Sequence, residues 1–272
     1  MPSTHNIVTN RTLVDYFRIA TFDPIQFYKL TAALERQYTG WYPKKWLQYR
    51  GRQSSNGVFH GIGEQGKRPH FLIQVSGQSS HHFFQWLSNY NEGSLTTFYC
   101  TRIDLQRTQT RPTKEYRRIA HKRLRGKKSL IDSDTGLTLY IGARTSDTFW
   151  RLYDKDDTLL RVEVEIKGTL AKRAWVALRM GEQLPGIWNR FLLKSRVPKV
   201  YTDLYRDNGE VADLPLIEEA EDLQPKLQWL QTLDSLIFKL INDHDTSEAT
   251  KQLVRRWNQY ADAVDTKGEG NI

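Results

Sequence analysis

The chain has 272 residues, with 40 Lys plus Arg against 31 Asp plus Glu, a net charge of +9 and a pI near 9.5. That length allows one large domain or two small ones, and the basic excess suits a polyanionic partner without specifying which. The single cysteine, Cys100, excludes an intramolecular disulfide and a cysteine-based zinc site. No apolar run is long enough to span a membrane, and the start Met1-Pro-Ser-Thr-His-Asn6 lacks a signal-peptide pattern. A soluble, cytoplasmic protein with no membrane partner is expected.

Residues 14–20 alternate like a strand. Asp23 and Pro24 then predict a helix start, with Asp as N-cap and Pro at the first helical position. That helix runs through Phe27, Leu30, Leu34 and Tyr38. Residues 59–63 and 70–76 read as strands joined by the turn-rich Glu64-Gln-Gly-Lys-Arg-Pro69. Residues 82–87 read as helix.

The pattern restarts at Tyr99. A strand over 99–105 contains Cys100, read as a buried strand residue rather than a nucleophile. A helix is predicted over 112–125 with Thr110 as its cap, then strands at 137–141, 149–153 and 160–167, then a helix over 170–180. Two rounds of strand, helix, strands and helix predict an α+β fold. Its twisted antiparallel sheet would be built of two ferredoxin- or RRM-like units. The repeat lies in pattern rather than residue identity. Expected boundaries are 1–98, 99–207 and a helical C-terminal appendage over 208–272. The appendage rests on helical spacing of Leu223, Leu227, Leu230, Leu233, Ile237 and Leu240. It would pack on the sheet or serve docking and oligomer contacts.

The most informative segment is Arg161-Val-Glu-Val-Glu-Ile-Lys167. Its alternation buries Val162, Val164 and Ile166 and lines up Arg161, Glu163, Glu165 and Lys167 on the other face. Two carboxylates about 7 Å apart on one strand face suit a hard divalent cation such as Mg²⁺. The flanking cations suit phosphate. The plain alternative is an exposed strand of alternating sign held by cross-strand pairs. Asp104 stands on the polar face of a second alternating strand. If the two strands are neighbours, about 4.8 Å apart, Asp104, Glu163 and Glu165 make a metal site open to phosphate.

Four more features suit a phosphodiester. The turn Gly142-Ala-Arg-Thr-Ser146 offers backbone N–H groups and Arg144 as a clamp. Lys155 ends a strand, facing substrate phosphate or solvent. Residues 107–128 hold ten Lys or Arg and one acid, Glu115. Read as a helix, they put Lys114, Arg118, Lys122 and Arg125 in one stripe suited to a nucleic-acid backbone. Tyr201 and Tyr205 stand one helical turn apart, and a phenol can attack phosphorus when a metal polarises the phosphate. Core packing is the alternative for each. Walker-type and paired-histidine zinc motifs are absent.

Taken together, Arg102-Ile-Asp104, Thr138-Leu-Tyr-Ile-Gly142, Arg144-Thr-Ser146, Arg151-Leu-Tyr-Asp-Lys155 and Arg161-Val-Glu-Val-Glu-Ile-Lys167 resemble the replication-initiation-factor family. So do Gly57-Val-Phe-His-Gly-Ile-Gly63 and Val75-Ser-Gly77. The family comprises rolling-circle plasmid and phage initiators and relaxases of integrative elements. The resemblance covers roughly residues 14 to 206. It implies an HUH-endonuclease-like fold and a Mg²⁺- or Mn²⁺-dependent nickase and strand transferase that binds an origin hairpin or single strand. A tyrosine keeps the 5′ phosphate. Carried over by position, Asp104, Glu163 and Glu165 are the metal ligands; Tyr205 or Tyr201 is the nucleophile, with Lys155 beside it. Arg102, Arg118, Lys122, Arg123, Arg125, Arg144, Arg151, Arg161 and Lys167 contact DNA. On this reading residues 1–98 bind DNA and residues 99–207 nick it, with a host helicase and a second copy as further partners. The rival readings are a non-catalytic, sequence-specific DNA-binding protein of the same fold and an RNA-binding protein.

Overall fold

A computed structural model describes residues 9–66, 68–90, 95–110, 113, 117, 118, 121, 122, 124, 126–134 and 136–215. The chain divides into two compact units, Met1–Leu216 and Ile217–Ile272. The described residues all lie in the first, so the expected C-terminal helices fall outside them.

The first half runs β1 (Thr9–Thr21), α1 (Pro24–Gln37), β2 (Tyr42–Trp46), β3 (Tyr49–Gln53), β4 (Phe59–Gln65), β5 (Arg68–Ser76) and α2 (Ser79–Ser88). The second runs β6 (Tyr99–Thr110), β7 (Lys128–Ser133), β8 (Gly136–Ile141), β9 (Thr148–Asp154), β10 (Leu159–Lys167) and α3 (Gly168–Arg179). Two further helices follow, α4 (Leu184–Leu193) and α5 (Lys199–Tyr205). All ten strands form one antiparallel sheet in the order β2-β3-β4-β5-β1-β6-β10-β9-β8-β7. β1 pairs with β5 in the first half as β6 pairs with β10 in the second, and β1 and β6 join the halves at the centre. This is the α+β architecture of two similar units that the pattern predicts.

Local chemistry explains most of these elements. The Asp23 carboxylate accepts from the Gln26 N–H at 3.0 Å, and Pro24 opens α1. α1 then buries Phe27, Leu30 and Leu34 on one stripe. On β10, Val162, Val164 and Ile166 are fully buried, and Trp150 and Leu152 of β9 join them. One face of the sheet therefore builds the main core with α1 to α4. Among the described residues, no helix covers the opposite face of the sheet. Cys100 is buried in β6, where desolvation pushes its thiol up to about 12; it is a core residue.

Several elements escape the sequence pattern. β2 carries Pro43 and four exposed residues, and all six residues of β7 are exposed. Both are edge strands, which bury no alternating face and so leave no period-two signal. α4 begins Leu184-Pro-Gly, a turn signal, yet Pro185 sits at its first turn, where the missing N–H costs nothing. Thr110, expected as a helix cap, is the last residue of β6. Of the helix expected over 112–125, Arg117, Arg118, His121 and Lys122 are helical; most of the rest, with Lys114, Arg123 and Arg125, lies outside the described residues.

Candidate active site

β6 and β10 are neighbours, and Asp104 stands directly opposite Glu165. Directly opposed residues share a face, so Asp104, Glu163 and Glu165 converge on the open face, as the alternation implies. β9 adds Arg151 opposite Glu163, and Tyr153 opposite Arg161. β1 adds Tyr16 opposite Asp104.

The carboxylates are buried beneath cations rather than exposed. Asp104, Glu163 and Glu165 are 1%, 2% and 5% accessible. Arg102 donates through Nε to Asp104 Oδ1 at 2.8 Å and through Nη2 to Oδ2 at 2.6 Å, and the same Nη2 lies 2.7 Å from Glu165 Oε2. Arg151 lies 2.7 Å from Glu163 and 3.7 Å from Asp104. Lys167 lies 2.9 Å from Glu165, and Arg161 3.7 Å from Glu163. The Tyr153 hydroxyl donates to Glu163 Oε1 at 2.5 Å. The Arg102 guanidinium sits 4.4 Å from the Tyr16 ring centre.

Burial pushes the carboxyls of both Asp104 and Glu163 above their usual range. Arg102 opposes it at Asp104; Arg151 and Tyr153 oppose it at Glu163. Asp15, at the β1 bulge between Val14 and Tyr16, adds to the rise at Glu163. Glu163 Oε2 is buried with no hydrogen bond, because Arg151 approaches it as an ion pair outside hydrogen-bond geometry. Desolvation, more than any lack of cations, disfavours the charged carboxylates here. A desolvated three-carboxylate set has the chemistry of a hard-cation site. As arranged here, among the described residues, no three acidic or histidine side chains group closely enough to hold an ion. Arg102 and Arg151 bridge them instead.

Arg144 joins the same face. Its guanidinium lies 5.2 Å from the Phe149 ring centre, and its carbonyl accepts from Lys167 Nζ. Lys155, just past β9, has its ammonium 5.9 Å from the Tyr153 ring. Arg118 and Lys122 stand elsewhere. Their helix sends Arg117 to Asp154, at 2.5 Å, and His121 to Tyr201. Asp154 shares the core-side face of β9 with Trp150 and Leu152. Arg118 itself pairs with Asp132.

The two phenols expected at the carboxylates are on the other side of the sheet. Tyr201 and Tyr205 are both fully buried in the main core. Tyr205 donates to the Leu160 carbonyl at 2.9 Å, and Tyr201 meets His121 Nε2 at 2.9 Å. Burial, then Tyr201, raises the Tyr205 phenol strongly. The helical i, i+4 spacing is real, but it aims both rings inward. The sequence reading missed Tyr16 and Asp15 at this site. Tyr16 carried a legible signal, since it alternates with Phe17 on β1; only the pairing of β1 with β6 makes that matter.

The replication initiation factor family matches residues 97–257, more than half of the chain. The chain belongs to this family. Its match contains every expected site residue, from Arg102 to Tyr205, whereas Tyr16 and Asp15 lie outside it. The fold is similar to that of a rolling circle replication initiator protein from Geobacillus stearothermophilus, with a TM-score of 0.54 and 16% identity over 75% of this chain and 99% of that one. At that identity the likeness speaks for the fold alone. No curated protein matches the sequence. No helix among the described residues is long and apolar enough to cross a membrane.

Proposed function

We propose that this initiator nicks one strand of a replication origin and transfers it through a tyrosine. The observation that carries the reading is the open sheet face where Asp104, Glu163 and Glu165 lie among Arg102, Arg151, Arg161 and Lys167. Carboxylates for a cation and cations for phosphate are what a phosphodiester needs on both sides. Mg²⁺ or Mn²⁺ would be held by the three carboxylates once Arg102 and Arg151 turn to the DNA phosphate. When bound, the ion supplies positive charge to the phosphate and polarises its oxygens. Arg144, Arg161 and Lys167 hold and orient the strand.

In the transfer, a phenol oxygen bonds to phosphorus as the bond from phosphorus to the 3′ oxygen breaks. The phenol's proton leaves and the 3′ oxygen gains one, so one phosphoester replaces another without hydrolysis. Tyr205 and Tyr201 are the nucleophiles that chain order supports, with Lys155 as the cation beside the phosphate. Their burial requires α5 to unpack before either phenol can reach the carboxylates. A second reading comes from geometry. Tyr153 is already on the open face, hydrogen-bonded to Glu163. On this proposal residues 1–98 bind the origin DNA, 99–207 cut it in the cytoplasm, and 208–272 pack on the sheet or serve docking and oligomer contacts; a host helicase is a further partner.

The test is a denaturing gel of the full chain with a labelled single-stranded origin oligonucleotide and Mn²⁺. A covalent adduct is expected, and mapping its peptide names the tyrosine. Loss of the adduct in Tyr205→Phe or Tyr201→Phe supports chain order, and loss in Tyr153→Phe supports geometry. If wild type forms no adduct with any origin of its own element, the protein binds DNA without cutting it.

A further inference from the structure

The two halves of the sheet share their strand pairing but not their open-face chemistry. In the second half, β6 and β10 carry the carboxylates. In the first, β1 to β5 carry rings and cations. A single cross-strand row links them, running Lys167, Arg102, Arg18, Gln74, Phe59, Gln53 and Tyr42 from β10 to β2. At about 4.8 Å per strand it spans roughly 29 Å. The open-face positions of β2 to β5 hold no carboxylate.

Rings dominate this half of the face. Tyr49, Phe59 and Leu72 form a small second apolar cluster with Trp46 packed on it. The Trp46 and Tyr49 rings stack at 6.0 Å and 26°. Gly61 and Gly63 let the rings lie flat on the sheet, since a Cβ there would meet Phe59 at 2.6 Å and Tyr49 at 2.8 Å. His70 ties Tyr49 and Tyr99 together, at 2.5 and 2.8 Å. Tyr49 and Phe59 are buried and therefore support; Trp46 is partly exposed and Tyr42 is 45% exposed. The cations sit over these rings. The Arg18 guanidinium is 5.8 Å from Trp46 and its Nε donates to Thr101 at 2.6 Å, while Lys172 is 5.5 Å from Tyr99. Among the described residues no carboxylate pairs with Arg18.

We propose that this half of the open face is a stacking platform for unpaired bases of single-stranded DNA. Trp46 and Tyr42 take the bases, while Arg18, Lys44 and Lys172 take the phosphates. The proposal rests on the nicking reading, because the seven-residue row then leads one strand into the carboxylate site. Ring faces need unpaired bases, which a duplex hides, and every base offers one, so binding here is tolerant of sequence. The first half thus keeps the shared strand pairing and serves for holding, while the second serves for chemistry.

The experiment is fluorescence anisotropy of the full chain with labelled oligothymidylate about 16 nucleotides long, a length within known single-strand site sizes. Trp46→Ala should weaken binding about tenfold, as loss of one stacked base does, and Trp46→Phe should restore most of it. Arg18→Gln should lower the slope of log affinity against log salt by about 0.7. Affinity for duplex of equal length should be unchanged in Trp46→Ala. Wild-type affinity of Trp46→Ala for oligothymidylate, or a preference for oligouridylate, overturns the proposal. If Trp46→Ala does not fold, the exposed Tyr42→Ala carries the same test. A chain that never nicks but loses affinity in Trp46→Ala would sink the nicking reading and keep this one.

Discussion

Each arginine at the carboxylates serves two acids, Arg102 bridging Asp104 to Glu165 and Arg151 bridging Glu163 to Asp104. Removing one acid therefore changes charge more than shape. Glu163→Gln keeps the side-chain volume and removes one charge of the proposed cation site. It should cut nicking of supercoiled origin plasmid by at least about 100-fold, since losing an outer-shell partner alone costs about 10–100-fold, while the origin hairpin is still bound. Unchanged nicking would show that Glu163 holds no ion. A different residue decides stability. Asp207 lies 2.7 Å from the buried Arg107 and accepts from the Thr12 N–H at 2.9 Å. Burial pushes its carboxyl up, but Thr12, the Asn208 N–H and Arg107 together pull it below its usual range. Asp207→Asn should cost about 3 kcal/mol in a urea unfolding titration, since it strands a buried arginine. A loss below about 1 kcal/mol would mean that Arg107 finds water instead.

At the scale of elements, Arg118 and Lys122 of the basic segment stand apart from the open face. Arg118 and Lys122 sit on a helix whose other side chains, Arg117 and His121, bury against Asp154 and Tyr201. Arg117 and His121 anchor these residues on the core side of the sheet, so on the proposed function Arg118 and Lys122 would attract DNA away from the carboxylates. Replacing Lys122, Arg123 and Arg125 by Ala should lower the slope of log affinity against log salt by roughly 0.7 to 0.9 for each phosphate no longer neutralised. Nicking rate at saturating DNA should hold. A slope equal to wild type would leave the segment a solvated face. α5 is the other element with a distinct role. Its seven residues bury two phenols, so freeing either one breaks a hydrogen bond and exposes an aromatic ring. Proteolysis between Val197 and Asp207 should therefore quicken when origin DNA binds, if Tyr205 or Tyr201 is the nucleophile. An unchanged cleavage rate favours Tyr153.

At the scale of the molecule, the second half of the core contains a titrating group. His121 is 4% accessible and bonded to Tyr201. Burial, then Arg117 and Lys128, lowers it from 6.5 to about 4. The folded state thus prefers the neutral ring. Its contribution is complete above pH 6.5, where the unfolded chain is also neutral, and is lost as pH falls from 6.5 towards 4. Unfolding free energy should fall over that window by up to about 1.4 kcal/mol per pH unit. His121→Gln should flatten the fall. Asp207 then adds a second loss at lower pH, as its carboxylate protonates below the unfolded value. Identical pH profiles for wild type and His121→Gln would place the acid lability elsewhere.

Alternation on β10 was enough to put Glu163 and Glu165 on one face, because a strand's side-chain period is two whatever its neighbours. The same rule placed Asp104 on β6 and buried Val162, Val164 and Ile166. Asp23 and Pro24 marked the start of α1 through chemistry internal to four residues. What pattern could not decide is which strands meet. Asp104 faces Glu165, and Tyr16 faces Asp104, only because β1, β6 and β10 lie side by side, and strand order is a property of the whole chain. Nor could spacing decide which way a helix turns its stripe. Tyr201 and Tyr205 share a face at i, i+4 whether that face meets DNA or the core; here packing against Trp188 and His121 turns it inward. Edge strands β2 and β7 left no pattern at all, since an unburied strand asks nothing of its sequence. Local periodicity determined the strand faces and helix starts of this protein. Tertiary packing alone decided which faces look at each other, because pairings far apart in sequence carry no signature in either partner taken singly.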